Sequence, residues 1–166
     1  MPGARASIRT MTTDAVTSHD HERCIRDAVA AAEAVCERKQ IRLTPLRRRV
    51  FEIVWRQHQP IGAYEILAEI AKDRVKAAPP TVYRALDFLR EAGLVHRVDS
   101  LNAFLGCDRP LDAHSGQFLV CEQCRKVTEI DDPGLTRALS RHARELGYTL
   151  EGSAVEIKAR CARCST

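Results

Sequence analysis

Between residues 21 and 93 the apolar positions recur every three or four residues, and beyond residue 94 short β-rich runs flank a single further helix. In HERCIRDAVAAAEAVCERKQ, residues 21 to 40, Ile25, Ala28, Val29, Ala32, Val35 and Cys36 fall on one side of an alanine-rich helix, with Cys24 and Cys36 expected on its buried face. Thr44 followed by Pro45 is an N-cap with proline at the first helical position. Leu46, Val50, Ile53 and Val54 then form a single stripe that leaves Arg47, Arg48 and Arg49 pointing away from it. After the turn QPIG, AYEILAEIAKD predicts a short helix carried by Ile66, Leu67 and Ile70. The prolines of KAAPP end one element and start the next. That next helix, PPTVYRALDFLREAG, turns Val82, Ala85, Leu86 and Leu89 inward and Thr81, Arg84 and Asp87 outward, with Gly93 as its stop.

LVHRVDSLNAFLGCD reads as two β runs around a turn at Leu101 and Asn102, so three short helices lead into a two-stranded ribbon, the plan of a winged helix-turn-helix. The turn-rich loop PLDAHSG marks a boundary. Beyond it, FLV and KVTEI are strands, DPGLTRALSRHARELG is a helix closed by Gly147, and SAVEIKAR is a last strand. The fold class is therefore α+β. Residues 1–20 are expected to form a flexible segment, 21–108 a winged-helix domain, 109–116 a hinge loop and 117–166 a small α/β domain. A domain of about 50 residues is close to the lower limit for folding on its own core, so a metal staple, a partner subunit or both are expected.

Charge sharpens this picture. Residues 38–97 hold 13 Lys/Arg against 6 Asp/Glu, whereas residues 98–166 hold 9 against 10 and residues 1–37 hold 4 against 6. The basic surplus thus lies in the helix-turn-helix, the footprint of a polyanion binder. Residues 1 to 18 lack the apolar core of a signal peptide, and no uncharged apolar run is long enough to span a bilayer, so a cytoplasmic location without membrane contact is expected.

Of seven cysteines, four stand as two CxxC pairs, Cys121 with Cys124 and Cys161 with Cys164. In a reducing compartment this spacing points to metal rather than disulfides, and four thiolates suit tetrahedral Zn²⁺. The 36 intervening residues include a helix that can return the last strand beside the first, so an ion would clamp the chain end onto the hairpin. A redox dithiol or an iron-sulfur cluster is the weaker reading; a thioredoxin-like enzyme would need one CxxC at the start of a helix near its N-terminus, and neither pair sits there. A closed Cys₄ site has no position for substrate and supplies folding energy, not catalysis. No nucleophile and base pair or phosphate-binding glycine loop is present, so neither an enzyme nor a small organic substrate is expected.

His96 in the first wing strand, Cys107 at the end of the second, His114 in the hinge loop and Glu129 after the CxxC hairpin are further candidate ligands. Each also has a plain structural reading: a half-buried strand residue, a small hydrophobe, a loop histidine and a solvated charge. His19, His21, His58 and His142 have no partners at ligand spacing and read as solvated or locally hydrogen-bonded.

RLTPLRRRVFEIV, AYEIL, PPTVYRALDFLREAGLVHRV and the CxxC pairs together resemble the Fur family of metal-dependent transcriptional repressors across residues 21 to 164. PPTVYRALDFL, the His96 to Cys107 spacing and DAHSGQFLVCEQC are most similar to its zinc-uptake regulators. The resemblance implies a homodimer binding operator DNA when zinc-loaded, an α/β dimerisation domain, a structural Cys₄ zinc, and a regulatory zinc on His96, Cys107, His114 and Glu129. Only His114 remains of the histidine- and aspartate-rich run that iron-responsive relatives carry before the first CxxC. A thiolate with two imidazoles and a carboxylate also favours Zn²⁺ over Fe²⁺ or Mn²⁺.

For DNA, Arg84 on the recognition helix is the candidate for a bidentate contact to guanine. Tyr64 resembles the family's second base-contacting residue, Thr81 shares the exposed face, and Tyr83 is a packing or phosphate contact. Arg47 to Arg49 and Lys76 are expected to bind phosphate irrespective of sequence. Two alternatives stay open: a member of the same family sensing another metal, and a zinc-stabilised nucleic-acid-binding module that senses nothing.

Overall fold

A computed structural model of the chain describes residues 21–73, 77–111, 116–150 and 154–165. His114 and Lys76 fall outside them. The described residues form two compact units, one up to residue 111 and one from residue 116.

The first unit contains α1 (His21–Arg38), α2 (Pro45–Gln57), α3 (Ala63–Lys72), α4 (Pro79–Glu91), β1 (Val95–Val98) and β2 (Ala103–Gly106). It is the winged helix-turn-helix that the apolar pattern predicts. Thr44 caps α2 by accepting from the Arg47 backbone N–H at 3.5 Å, and Pro79 and Pro80 open α4 where their missing N–H groups cost nothing. At α3 the Glu65 carboxylate accepts from the Gly62 backbone N–H at 2.8 Å. Gly93 ends α4 at φ +77°, a left-handed conformation that favours glycine. The stripes read from sequence converge on one core in which Val35, Val50, Ile66, Ile70, Leu86, Leu89 and Leu94 are fully buried. Leu46, Leu67 and Ile25 pack against its margin.

β1 and β2 pair antiparallel, with Val95 opposite Gly106 and Val98 opposite Ala103. Between them residues Asp99–Leu101 make a single 3-10 turn, and Asn102 takes the left-handed position that reverses the chain. Sequence pattern does not anticipate a third edge: Ile61, in the QPIG segment, exchanges both backbone hydrogen bonds with Phe104 at 2.9 Å and ties the loop before α3 to the wing. Gly106 is needed where it stands, since a Cβ there would lie 2.9 Å from the indole of Trp55.

The second unit runs β3 (Gln117–Cys121), β4 (Val127–Ile130), α5 (Pro133–Glu145) and β5 (Val155–Ala159), with sheet order β4-β3-β5. β3 pairs antiparallel with β4 and parallel with β5, and the parallel pairing requires α5 as the crossover. Gln117, 1% exposed, is satisfied on three sides: its amide donates to the Asp132 carbonyl at 3.1 Å and to Thr136 Oγ1 at 2.7 Å, and its oxygen accepts from the Asp132 N–H. It locks the central strand to the start of α5. None of the residues of α5 is buried, although Leu135, Ala138 and Leu139 recur at helical spacing.

Candidate metal centre and nucleic-acid interface

The two CxxC pairs meet because of strand register. Cys121 lies opposite Ala159 at the end of the parallel β3–β5 ladder, and the Glu122 N–H continues it by donating to the Ala159 carbonyl at 3.0 Å. Cys161 is then two residues past the last rung. Each pair is presented by a tight turn: the Arg125 N–H donates back to the Cys121 carbonyl at 2.9 Å, with Arg125 at φ 60°, and the Cys164 N–H donates to the Cys161 carbonyl at 2.9 Å. The four sulfurs lie within 4.8 Å of one another, and Sγ of Cys124 and Sγ of Cys161 are 3.7 Å apart. Four thiolates about 2.3 Å from a tetrahedral Zn²⁺ stand about 3.8 Å from each other, so the arrangement fits that ion.

The thiols are electrostatically unequal. Backbone N–H groups of Cys124 and Cys161 aimed at the Cys121 sulfur pull it down to about 6, while burial, followed by hydrogen bonding to the other three sulfurs, pushes Cys164 up to about 12. The cluster thus favours a first thiolate at Cys121 and resists a full set of four negative charges, which is the state a divalent cation stabilises.

Of the second candidate set, His96 and Cys107 belong to the first unit. The Cys107 N–H donates to the Leu94 carbonyl at 3.0 Å, so the wing ladder extends one rung beyond β2. With His96 opposite Leu105, this register puts His96 and Cys107 diagonally on the same face of the ribbon. Cys107 is fully buried and His96 half-buried. Glu129, on β4 opposite Phe118, is a carboxylate only 6% exposed, which does not fit the solvated charge of the plain reading. His114 is outside the described residues. Cys24, expected on the buried face of α1, is half-buried and lines an open cleft of about 550 Å³ with Trp55, Cys107 and Pro110.

The DNA-binding candidates lie on α3 and α4 of the first unit. Tyr64 on α3 is 70% exposed, and on α4 Tyr83 and Arg84 are exposed with Thr81 half-buried beside them. Among the described residues, Tyr64, Tyr83 and Arg84 make no side-chain hydrogen bond or ion pair. The three arginines of α2 make contacts within the unit. Arg48 pairs with Glu33 at 2.7 Å and Glu52 at 3.2 Å, Arg49 forks onto both oxygens of Asp73 at 2.5 and 3.0 Å, and Arg47 donates to the Arg42 carbonyl at 2.7 Å. Acidic and carbonyl partners on α1, on the loop before α2, on α2 itself and at the C-cap of α3 engage these donors, which a count of basic residues cannot reveal. Of the other histidines, His19 lies outside the described residues, His21 meets the Arg56 carbonyl at 3.0 Å across 35 residues of sequence and stands edge-on to His58, and His142 meets Glu145.

The chain is 35% identical over 142 residues to the zinc uptake regulation protein of Escherichia coli (strain K12), covering 84% of this chain and 82% of that one. It superposes on a solved structure of a zinc uptake regulator complexed with zinc and DNA with TM-score 0.80 and 34% identity, covering 85% of this chain and 95% of that chain. Holo XcZur gives TM-score 0.76 at 38% identity over 84% of this chain and 97% of that one. The family model of the ferric uptake regulators matches residues 38–158. This chain belongs to the ferric uptake regulator family.

Proposed function

We propose that the chain is a zinc-responsive, DNA-binding transcriptional regulator, mainly a repressor of zinc-uptake genes, which binds operator DNA as a homodimer when loaded with zinc. The observation that carries this reading is the likeness of the winged-helix and α/β plan to a zinc uptake regulator complexed with zinc and DNA, joined to an exposed, internally unengaged Arg84 on the recognition helix.

In this proposal Cys121, Cys124, Cys161 and Cys164 hold a structural zinc, and His96, Cys107, His114 and Glu129 hold a regulatory one. Support for the first comes from the sulfur spacing, and for the second from the shared wing face of His96 and Cys107 and the burial of the Glu129 carboxylate. Bound zinc supplies a divalent charge and preferred ligand directions. Ligands drawn from the wing, the hinge and the second domain can all be satisfied in only a restricted set of interdomain orientations. The shift toward those orientations equals the difference in zinc affinity between them and the rest. Arg84 and Tyr64 then meet base edges in the major groove, Thr81 and Tyr83 lie beside them against the backbone, and two copies of α4 address successive grooves.

Dimerisation through the second domain is supported by its uncovered apolar surface. Leu146, Tyr148, Leu150 and Ile157 are 75%, 68%, 50% and 39% exposed, and the apolar side of α5 is uncovered. A monomer rarely leaves such a surface wet.

The test is an operator titration at fixed Cys₄ zinc, with a mild chelator buffering the exchangeable metal. Affinity rising with free zinc is expected. Equal affinity with and without exchangeable zinc refutes sensing and leaves a zinc-stabilised DNA-binding module.

A further inference from the structure

We infer that Lys39 and Arg47 are positioning residues for DNA recognition, which hold the C-terminal half of the recognition helix instead of binding phosphate. This rests on the reading of α4 as the helix that meets the bases.

Both residues belong to the basic stretch that a charge count assigns to the DNA backbone. Lys39 follows α1 at a chain reversal where Gln40 has φ 53°. Its Nζ donates to the Ala92 carbonyl, the C-cap of α4, at 2.8 Å across 53 residues of sequence. Carbonyls at a helix C-terminus have no intrahelical donor and carry the negative end of the dipole, so an ammonium there both satisfies a hydrogen bond and stabilises the terminus. The neighbouring carbonyls are closed by the chain itself: the Gly93 N–H donates to Arg90 and the Leu94 N–H to Leu89, each at 2.9 Å. Lys39 completes this cap from outside the helix.

Arg47, in the first turn of α2, places its guanidinium carbon 3.6 Å from the ring centroid of Phe88. Its Nη1 is held by the Arg42 carbonyl at 2.7 Å, which fixes the plane of the stack. Phe88 stands one turn after Arg84 on α4, and Ala92 one turn after Phe88. Cations anchored on the α1–α2 segment therefore grip α4 at two successive turns behind the base-contacting residue, and a helix moves as a rigid rod over that length. Both cations also lie near the buried Cys36, whose thiol burial pushes up against their weaker opposing pull. An arginine or lysine with its donors committed to a carbonyl and a ring is a poor phosphate ligand; one that tilts α4 changes where Arg84 points.

The experiment uses the full zinc-loaded chain and a duplex selected by the wild-type protein from a randomised pool, with poly(dI-dC) as the non-selected duplex. Wild type, Lys39→Met, Arg47→Met, Lys39→Arg and Arg47→Lys are titrated across a salt series, and thermal unfolding is recorded for each. Both methionine variants are expected to bind the selected duplex roughly tenfold more weakly, with poly(dI-dC) affinity and the salt slope unchanged; Lys39→Arg restores selectivity. If a methionine variant fails to fold, Arg47→Lys carries the test, since it keeps the charge and loses the planar stack: reduced selectivity at unchanged slope supports the inference, and retained selectivity overturns it. Equal weakening on both duplexes with a slope shallower by about one also overturns it, because that is the signature of a phosphate contact. Lower thermal stability with selectivity intact overturns it as well. Failure of the wild type to enrich any duplex would instead sink the reading of α4.

Discussion

Arg84 and Arg48 illustrate at the scale of single residues how one side-chain type takes different roles. Arg48 is engaged by Glu33 and Glu52, whereas Arg84 projects from α4 with its guanidinium uncommitted among the described residues. Arg84→Ala is therefore expected to relax discrimination between operator and unrelated DNA by about 1 to 3 kcal/mol, one bidentate base contact, as read by competition binding. Arg48→Ala is expected to leave that discrimination unchanged and to cost at most about 1 kcal/mol of stability, the range of an exposed ion pair. Gly106 is the second such position. A Cβ 2.9 Å from Trp55 forces the indole out of its packing, so Gly106→Ala is expected to cost about 1 to 3 kcal/mol in chemical denaturation and to change the near-ultraviolet signal of the chain's lone tryptophan. Sequence reading finds Arg84 because its helical phase opposes Val82, Ala85 and Leu89. It does not find the partners of Arg47 to Arg49, among them Arg42, Glu33, Asp73 and Phe88, because contacts between elements have no period.

Elements follow pattern wherever a periodic face meets a core. The helices α1 to α4 and the wing strands emerge at the positions that their stripes and caps predict, since one buried cluster selects each apolar face. Less legible is the rung between Ile61 and Phe104, made by backbone atoms in a segment whose side chains read as a turn. In the second unit, the strand β3 depends on one polar anchor. Gln117→Leu removes two polar atoms and the three hydrogen bonds they make at the buried start of the strand, including the acceptor of the Asp132 N–H, so a loss of about 1 to 3 kcal/mol is expected, read in hydrogen-exchange protection of β3 and α5. The Cys₄ cluster is legible from CxxC spacing, but its closure depends on parallel register between β3 and β5, which the 36-residue interval leaves open. Thiolates are the ligands, so protons compete with zinc: metal retention is expected to fall as pH is lowered, and removal of the Cys₄ ion by a strong chelator to unfold the small unit while the helical signal of residues 21 to 93 persists.

For the whole molecule, the proposed regulation joins a DNA-reading domain to a metal-dependent one through ligands that sequence separates by up to 33 positions, His96 to Glu129. Family resemblance groups these four residues; apolar pattern and spacing alone do not. The structure adds a common wing face for His96 and Cys107 and a buried position for Glu129. Cys107→Ser removes the softest ligand of that set and leaves Cys121, Cys124, Cys161 and Cys164 intact, so it separates sensing from folding. The direct measurement is zinc stoichiometry and operator affinity on the same preparations of wild type and Cys107→Ser. The account predicts about two zinc ions per chain falling to about one, with an unchanged fold and loss of zinc-dependent operator binding. A Cys107→Ser protein that still binds operator in a zinc-dependent manner with wild-type affinity would contradict it.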